Sequence, residues 1–525
     1  AVTGDRVPEF SMPLPRWGIE RPDPRPLARR EHAFVITPTA AADRDAIACF
    51  VALLEREQAE LVTELGCALA FTSPPGDSPA VAQCLIGPAS ANRPLQKLRI
   101  ELDVPDPGEP HIWIDRTRGI VVIDGPDIEA VGVAFQFLRT AIHSGERLTT
   151  GALPRHAVAI ATTIAREVEI TYPAFALRSI DWSATMARHL RRIVHSGASL
   201  SSLQHLFVEL EDAHTWVRYS AMNGHWPYRV WADQSSARLV SVPTWSAGWD
   251  AGARPGDILM DLDTRDWWSR SSATPRTKPV MTGYRIMSGT IGNERTFRVR
   301  RSHSDIVSWT EACPARPWPE PISWTVLPSR TGYLEIRGWL STPDWGAAIE
   351  AALKELARCP QLIVDLRGNV GGNLVAAQAF RDRFLTGRTV LGAIRFSRGD
   401  GALGDPSPLI GEPATDGPRW SRPVRFLTDR ESYSATEDAI LGLQGLPHVE
   451  IVGEPSGGGS GRPRTIPLTA GISATISSAL TYDRHGRCIE GAGIPVDRAL
   501  PVHTSLTRPD LVPASAILST ADTGW

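Results

Sequence analysis

The stretch LIVDLRGNVGGN, residues 362–373, decides what kind of chain this is. An apolar run, Leu362 to Val364, ends at Asp365 and breaks into Gly368, Gly371 and Gly372. A short apolar run bounded by glycines reads as a buried strand, and the glycines let backbone N–H groups approach a ligand without side chains in the way. A plain strand-to-helix turn fits the same residues locally. The surroundings add the architecture. GYLEIRGW (332–339), VRFLTD (424–429) and VEIVGEP (449–455) read as strands. Helices are expected at about 343–357, near 374–386 and from Ser434 in ESYSATEDAILGLQG (431–445). Strands alternating with helices imply an α/β layer with parallel strands.

The chain has 525 residues, too many for one core, with ordinary apolar (42%) and charged (22%) content. A net charge of −3 without basic runs argues against nucleic acid or an anionic membrane as the main partner. Six scattered cysteines (Cys49, Cys67, Cys84, Cys313, Cys359, Cys488) form no CxxC, so buried free thiols are expected rather than disulfides, and no metal or other cofactor. No apolar run reaches the ~20 residues of a membrane span. The opening AVTGDRVPEFSMPLPRWG lacks the apolar core of a signal peptide, which favours the cytoplasm.

Five regions follow from the pattern. Residues 1–154 read as an accessory α/β domain, with an extended arm over 1–30, helices at about 43–65 and 127–143, and strands at LRIEL and GIVVIDG. A helical region spans 155–225. Residues 226–305 hold short strands and turns around WSAGWDAGARPGDILMDLD, 306–503 the α/β core, and 504–525 a tail.

Three stretches place polar groups beside glycines at strand ends: 362–373, the Ser434 stretch, and CIEGAGIPVD (488–497). Ser434-Ala-Thr-Glu437 is a capping box, and it also puts a hydroxyl at the positive end of a helix dipole. A serine hydroxyl needs a base to act as a nucleophile, because it is protonated at neutral pH.

In this order, D-x-R-x-N-x-G-G, then S-A-[ST]-E opening a helix, then V-G-E-P and G-x-G-[IV]-x-[PV]-D resemble the superfamily of carboxyl-terminal processing proteases, tricorn cores and interphotoreceptor retinoid-binding protein. The 226–305 segment resembles a PDZ domain, and 1–154 is weakly similar to the domain preceding some glycosidase barrels. The resemblance implies a serine peptidase working through an acyl-enzyme, with Ser434 as nucleophile and Gly371, Gly372 and the Ala435 N–H as oxyanion hole. Many members use a Ser–Lys dyad, but the matching position here is Gly459, and no lysine follows Lys354. The lysine-less branch implies His214, in LEDAHTWV, as base and Glu490 as its carboxylate partner, with Asp212 as the local alternative and His485 as a rival base. Glu437 is then a helix-start residue. Two other readings stand beside hydrolysis: an acyl-transfer, cyclising or precursor-processing enzyme with the same triad, and a non-catalytic ligand- or peptide-binding module. The implied partner is a peptide or protein, held by its carboxyl end through strand addition on the PDZ-like segment. The oligomeric state is open.

Overall fold

A computed structural model of the chain describes residues 155–503 apart from 302–304, 400, 460 and 470. Before them it describes segments 32–35, 68–71, 83–86, 109–115, 120–126 and 151–152 with residues 130 and 134, and after them residue 513. The expected arm, the helices at 43–65 and 127–143, the LRIEL strand and the tail fall outside the described residues, apart from those isolated positions. The chain divides into two compact units, Ala1–Ile170 with Ser179–Leu206, and Thr171–Arg178 with Phe207–Trp525.

In the first unit, His32–Val35 pairs parallel with Ala68–Phe71, and a four-stranded sheet runs in the order Gln83–Ile86, Ile120–Asp124, His111–Asp115, Gly151–Ala152. The helix Trp182–His195 starts at Asp181, whose carboxylate accepts from the Ala184 N–H at 3.0 Å. Its apolar stripe, Met186, Leu190 and Ile193, is buried, as the helical period requires.

The second unit is built on a six-stranded sheet in the order Ile322–Val326, Gly332–Ile336, Leu362–Asp365, Val424–Thr428, Val449–Gly453, Arg498–Ala499. The first pair is antiparallel and every later pair parallel. Leu362–Asp365 is buried at all four positions, as a central strand covered on both faces should be. Leu334, Val364, Phe380, Phe384, Phe426, Ile440 and Ile451 pack the core beside the helices Pro343–Leu356, Leu374–Asp382 and Ala435–Ile440. Each fully buried side chain of this kind contributes about 1.5–3 kcal/mol.

Two further sheets matter for the site. Trp216–Tyr219 was expected to close the helical region but forms a strand, because Trp, Val and Tyr favour a pleated surface. It pairs antiparallel with Ile472–Ile476, Thr475 facing Trp216, and so brings residue 214 beside the core. A five-stranded antiparallel sheet runs in the order Ile306–Ala312, Glu294–Arg300, Ile258–Leu259, Ala237–Ser241, Arg229–Ala232. The helix Lys278–Ile286 lies against its last strand, and a Cβ on Gly283 would fall 1.8 Å from the Val230 carbonyl oxygen. The helix is therefore seated on the strand and leaves no room for an added strand at that level.

That contact reverses an ordinary trend. Alanine stabilises a helix interior over glycine by ~1 kcal/mol. Here Gly283→Ala is expected to lower the urea midpoint, because overpacking destabilises the fold by about 1–3 kcal/mol. A raised midpoint would show that the helix is not seated on the strand.

Candidate active site

The Leu362–Asp365 strand ends in a turn whose glycines take left-handed φ angles, +73° at Gly368, +112° at Gly371 and +135° at Gly372. Asn369 organises it. Its Nδ2 donates to the Ile336 carbonyl at 3.0 Å and its Oδ1 accepts from the Gly371 N–H at 3.0 Å. Its carbonyl accepts from the Tyr433 N–H at 3.0 Å and from the Thr436 hydroxyl at 2.8 Å. One residue thus binds the glycine turn to the loop that carries Ser434. Gly371 sits so close that a Cβ there would lie 2.8 Å from the Ser434 Cβ and 3.2 Å from the Ala435 nitrogen.

Asp429 holds the other end of that loop. Its Oδ1 accepts from the N–H groups of Gly368, Glu431 and Ser432 at 3.1, 2.9 and 3.0 Å, and its Oδ2 meets Arg229 and His503. Burial acts to raise its pKa, yet hydrogen bonding to His503 and the Arg229 charge hold it well below the usual range. Buried Ser432 donates to the Leu366 carbonyl at 2.8 Å.

Ser434 has φ +59° and ψ −122°, a strained conformation for a residue with a Cβ. Such strain costs on the order of 1–3 kcal/mol and gathers at functional sites. The return arm of the expected capping box forms, Ser434 N–H to Glu437 Oε2 at 3.1 Å. The hydroxyl reaches His214 Nε2 at 2.9 Å. The helix behind it spans only Ala435–Ile440, so its dipole is small and its first N–H, that of Ala435, is what it offers a ligand.

His214 comes from the loop before Trp216–Tyr219. That loop is pinned by Asp212, whose Oδ1 accepts from the His214 backbone N–H at 2.9 Å and whose Oδ2 accepts from the Thr215 hydroxyl at 2.7 Å. The Ser477 N–H donates to the same hydroxyl at 2.9 Å. The imidazole lies 4.9 Å from the Tyr433 ring, centroid to centroid, and its buried Nδ1 has no partner. Burial lowers the His214 pKa and the Asp212 charge offsets this only in part, so the ring is neutral at pH 7.

Glu490 is buried and does not hydrogen-bond His214; its Oε1 meets Arg178 Nη2 at 2.6 Å. Arg178 also donates to Tyr172, whose hydroxyl donates to the Leu210 carbonyl at 2.6 Å. Burial and the Asp212 charge push the Glu490 carboxyl up to about 8 against the pull of Arg178. Asp212 itself is held below the ordinary range, burial being outweighed by Arg178 and His214. His485 lies in an exposed turn, its N–H donating to Asp483 at 2.8 Å.

Gly459, the position of the lysine in Ser–Lys relatives, has its side-chain space filled: a Cβ there would fall 1.9 Å from the Tyr433 hydroxyl. Among the six expected site residues the structure brings together Ser434, His214, Ala435 and Gly371 directly. Gly372 follows Gly371, where a Cβ would strike the Trp339 carbonyl at 2.3 Å, and Glu490 stands behind Arg178. Asn369 was legible only as part of the D-x-R-x-N pattern; Arg178 and Asp429 carried no local signal. Of the expected free thiols, Cys313 and Cys359 are buried and Cys488 is half-buried.

A cleft of about 260 Å³ adjoins the glycine turn, reaching Gly368 and Val370 and walled by Trp226, Tyr228, Trp245 and Trp318. Among the described residues no helix is long and apolar enough to cross a membrane.

Residues 330–500 match the family model described as peptidase family S41. No curated protein matches the chain. Among solved structures, mature CPAF complexed with lactacystin is similar at 14% identity and a TM-score of 0.50, covering 66% of this chain and 94% of that one. The photosystem II D1 C-terminal processing protease gives 16% identity and a TM-score of 0.47 over 67% and 96% of the chains. The tricorn protease gives 16% and 0.33 over 70% and 36%.

Gly371→Ala tests the site's packing. A Cβ at φ +112° and 2.8 Å from the Ser434 Cβ is expected to slow labelling by a serine-directed fluorophosphonate at least tenfold, in line with a misplacement of about 1 Å near reacting atoms. Unchanged labelling would show that the turn does not abut the Ser434 hydroxyl.

Proposed function

On the premise that a chain with a peptidase family S41 domain is a serine peptidase, we propose that it cleaves peptide bonds through an acyl-enzyme on Ser434, with His214 as general base. The observation that carries the reading is the 2.9 Å contact between His214 Nε2 and Ser434 Oγ, made by residues 220 apart in sequence. The neutral imidazole takes the hydroxyl proton as Oγ attacks the substrate carbonyl, then returns it to the leaving amine. Water attacks the ester by the same route reversed. The negative oxygen formed in each step is met by the Ala435 N–H and a glycine N–H of the turn. Gly371 serves once its N–H leaves Asn369 Oδ1, and Gly372 is the adjacent donor.

Glu490 is the carboxylate of the triad at the motif position, paired with Arg178, whose charge also acts on Asp212, itself the charge that acts most strongly on the ring. The cleft beside the turn, walled by tryptophans and also lined by Arg229, Arg337, Arg367, Glu335 and Glu431, suits a substrate segment carrying both apolar and charged side chains. In domain terms, 226–305 is a PDZ-like insert, 306–503 the protease core, 155–225 the region delivering His214, and 1–154 an accessory domain. The contact of Gly283 with Val230 means that strand addition beside that helix requires the helix to move.

Fluorophosphonate labelling of the full chain with peptide mapping should place the adduct on Ser434, and Ser434→Ala should lose activity by on the order of 10⁶. An adduct on Ser432, Ser456 or Ser460 would sink the assignment. Glu490→Gln is expected to retain more activity than Ser434→Ala, with a loss of about 10⁴ or less, as for an orienting carboxylate. If Asp212→Asn proves the more damaging of the two at unchanged stability, the triad is Ser434, His214 and Asp212.

The pH dependence follows from the burial of His214. The base must be neutral, and its pKa lies below the ordinary imidazole value, so kcat/KM is expected to hold as pH falls to about 6.5 and to decline only below it. A limb centred near 8 would assign the titration to Glu490, whose carboxyl is pushed up to about 8, rather than to His214.

A further inference from the structure

Beyond the reacting groups, Glu437 has a place that a capping residue does not need. It is fully buried, and both of its oxygens are engaged twice. Oε2 accepts from the Ser434 N–H at 3.1 Å and the Gly459 N–H at 2.7 Å. Oε1 accepts from the Ser456 hydroxyl at 2.6 Å and the Gly458 N–H at 2.8 Å. The loop it grips leads straight to the Glu490 turn. Ser456 Oγ accepts from the Ile494 N–H at 2.7 Å, and the Gly458 carbonyl accepts from the Gly491 N–H at 2.8 Å. On its near side the Gly457 N–H donates to the Ser432 carbonyl at 2.9 Å.

We propose that Glu437 is a positioning residue: through its buried carboxylate it sets Ser434 against the Ser456–Gly459 loop and, through that loop, against the turn carrying Glu490. The proposal rests on Ser434 being the nucleophile.

The chemistry of the donors explains why glutamate is required. Three of the four are backbone N–H groups, which can only donate, so the site calls for an acceptor on both oxygens. A glutamine offers one acceptor and one NH₂. Whichever way the amide is turned, its NH₂ faces at least one backbone N–H, and a donor is left unsatisfied. The side chain keeps its volume, so the error falls on the placement of Ser434 or of the loop. Aspartate keeps the carboxyl group but draws the oxygens back by about 1.5 Å, one C–C bond, and cannot reach both sides.

The test uses saturation kinetics of an alkyl fluorophosphonate on the full chain, which separates binding (KI) from reaction (kinact), with thermal unfolding measured alongside. Glu437→Gln is expected to lower kinact about 10- to 100-fold, the range seen for partners that orient a reacting centre. KI should stay near wild type, and the melting temperature should fall by only several degrees, the cost of one unsatisfied buried donor, with the variant folded at the assay temperature. Glu437→Asp should shift kinact in the same direction. Wild-type kinact in either folded variant overturns the proposal while leaving the nucleophile assignment intact. Loss of fold in both variants overturns it in favour of a purely structural carboxylate. A wild-type protein that takes up the probe anywhere but Ser434 overturns the nucleophile reading and this proposal with it.

Discussion

The second unit depends on one amide. Asn369 spends its side chain and its carbonyl on four hydrogen bonds that join a strand end, the glycine turn and the Ser434 loop. Each is worth about 0.5–1.5 kcal/mol net, but a buried donor or acceptor left without a partner costs about 1–3. The geometry is therefore over-determined: the strained Ser434 backbone cannot relax without leaving groups at Asn369 unsatisfied.

A second constraint acts at long range. His214 lies 220 residues before Ser434, and no local preference brings them together. The strand pairing of Trp216–Tyr219 with Ile472–Ile476 does so, reinforced where Ser477 donates to Thr215. The closing entropy of so long a loop grows only slowly with its length, so one ladder and a few side-chain bonds suffice.

The α/β layer was legible because its strands are apolar, short and followed by glycine or a capping residue, patterns that act within a few residues. Ser434, Gly371 and His214 stood out because their motifs combine residue types with little reason to cluster otherwise. The strand at Trp216 was missed, since its pairing partner lies in a distant segment. The ion pair between Arg178 and Glu490 spans 312 residues and leaves no periodic trace, so only the fold exposes it. Glu437 was legible as a cap but not as a ligand for the glycine loop, because Gly458 and Gly459 carry no side chain that advertises the contact.

The seating of Gly283 on the Val230 carbonyl has a meaning for solubility. Arg229–Ala232 is the last strand of its sheet, and an open edge offers unpaired backbone groups to any passing chain. The helix Lys278–Ile286, held at contact distance by a residue without a side chain, shields that edge from pairing with another copy of the protein. At this position glycine serves as protection against aggregation, and any motion that lifts the helix to admit a peptide also uncovers a surface prone to self-association.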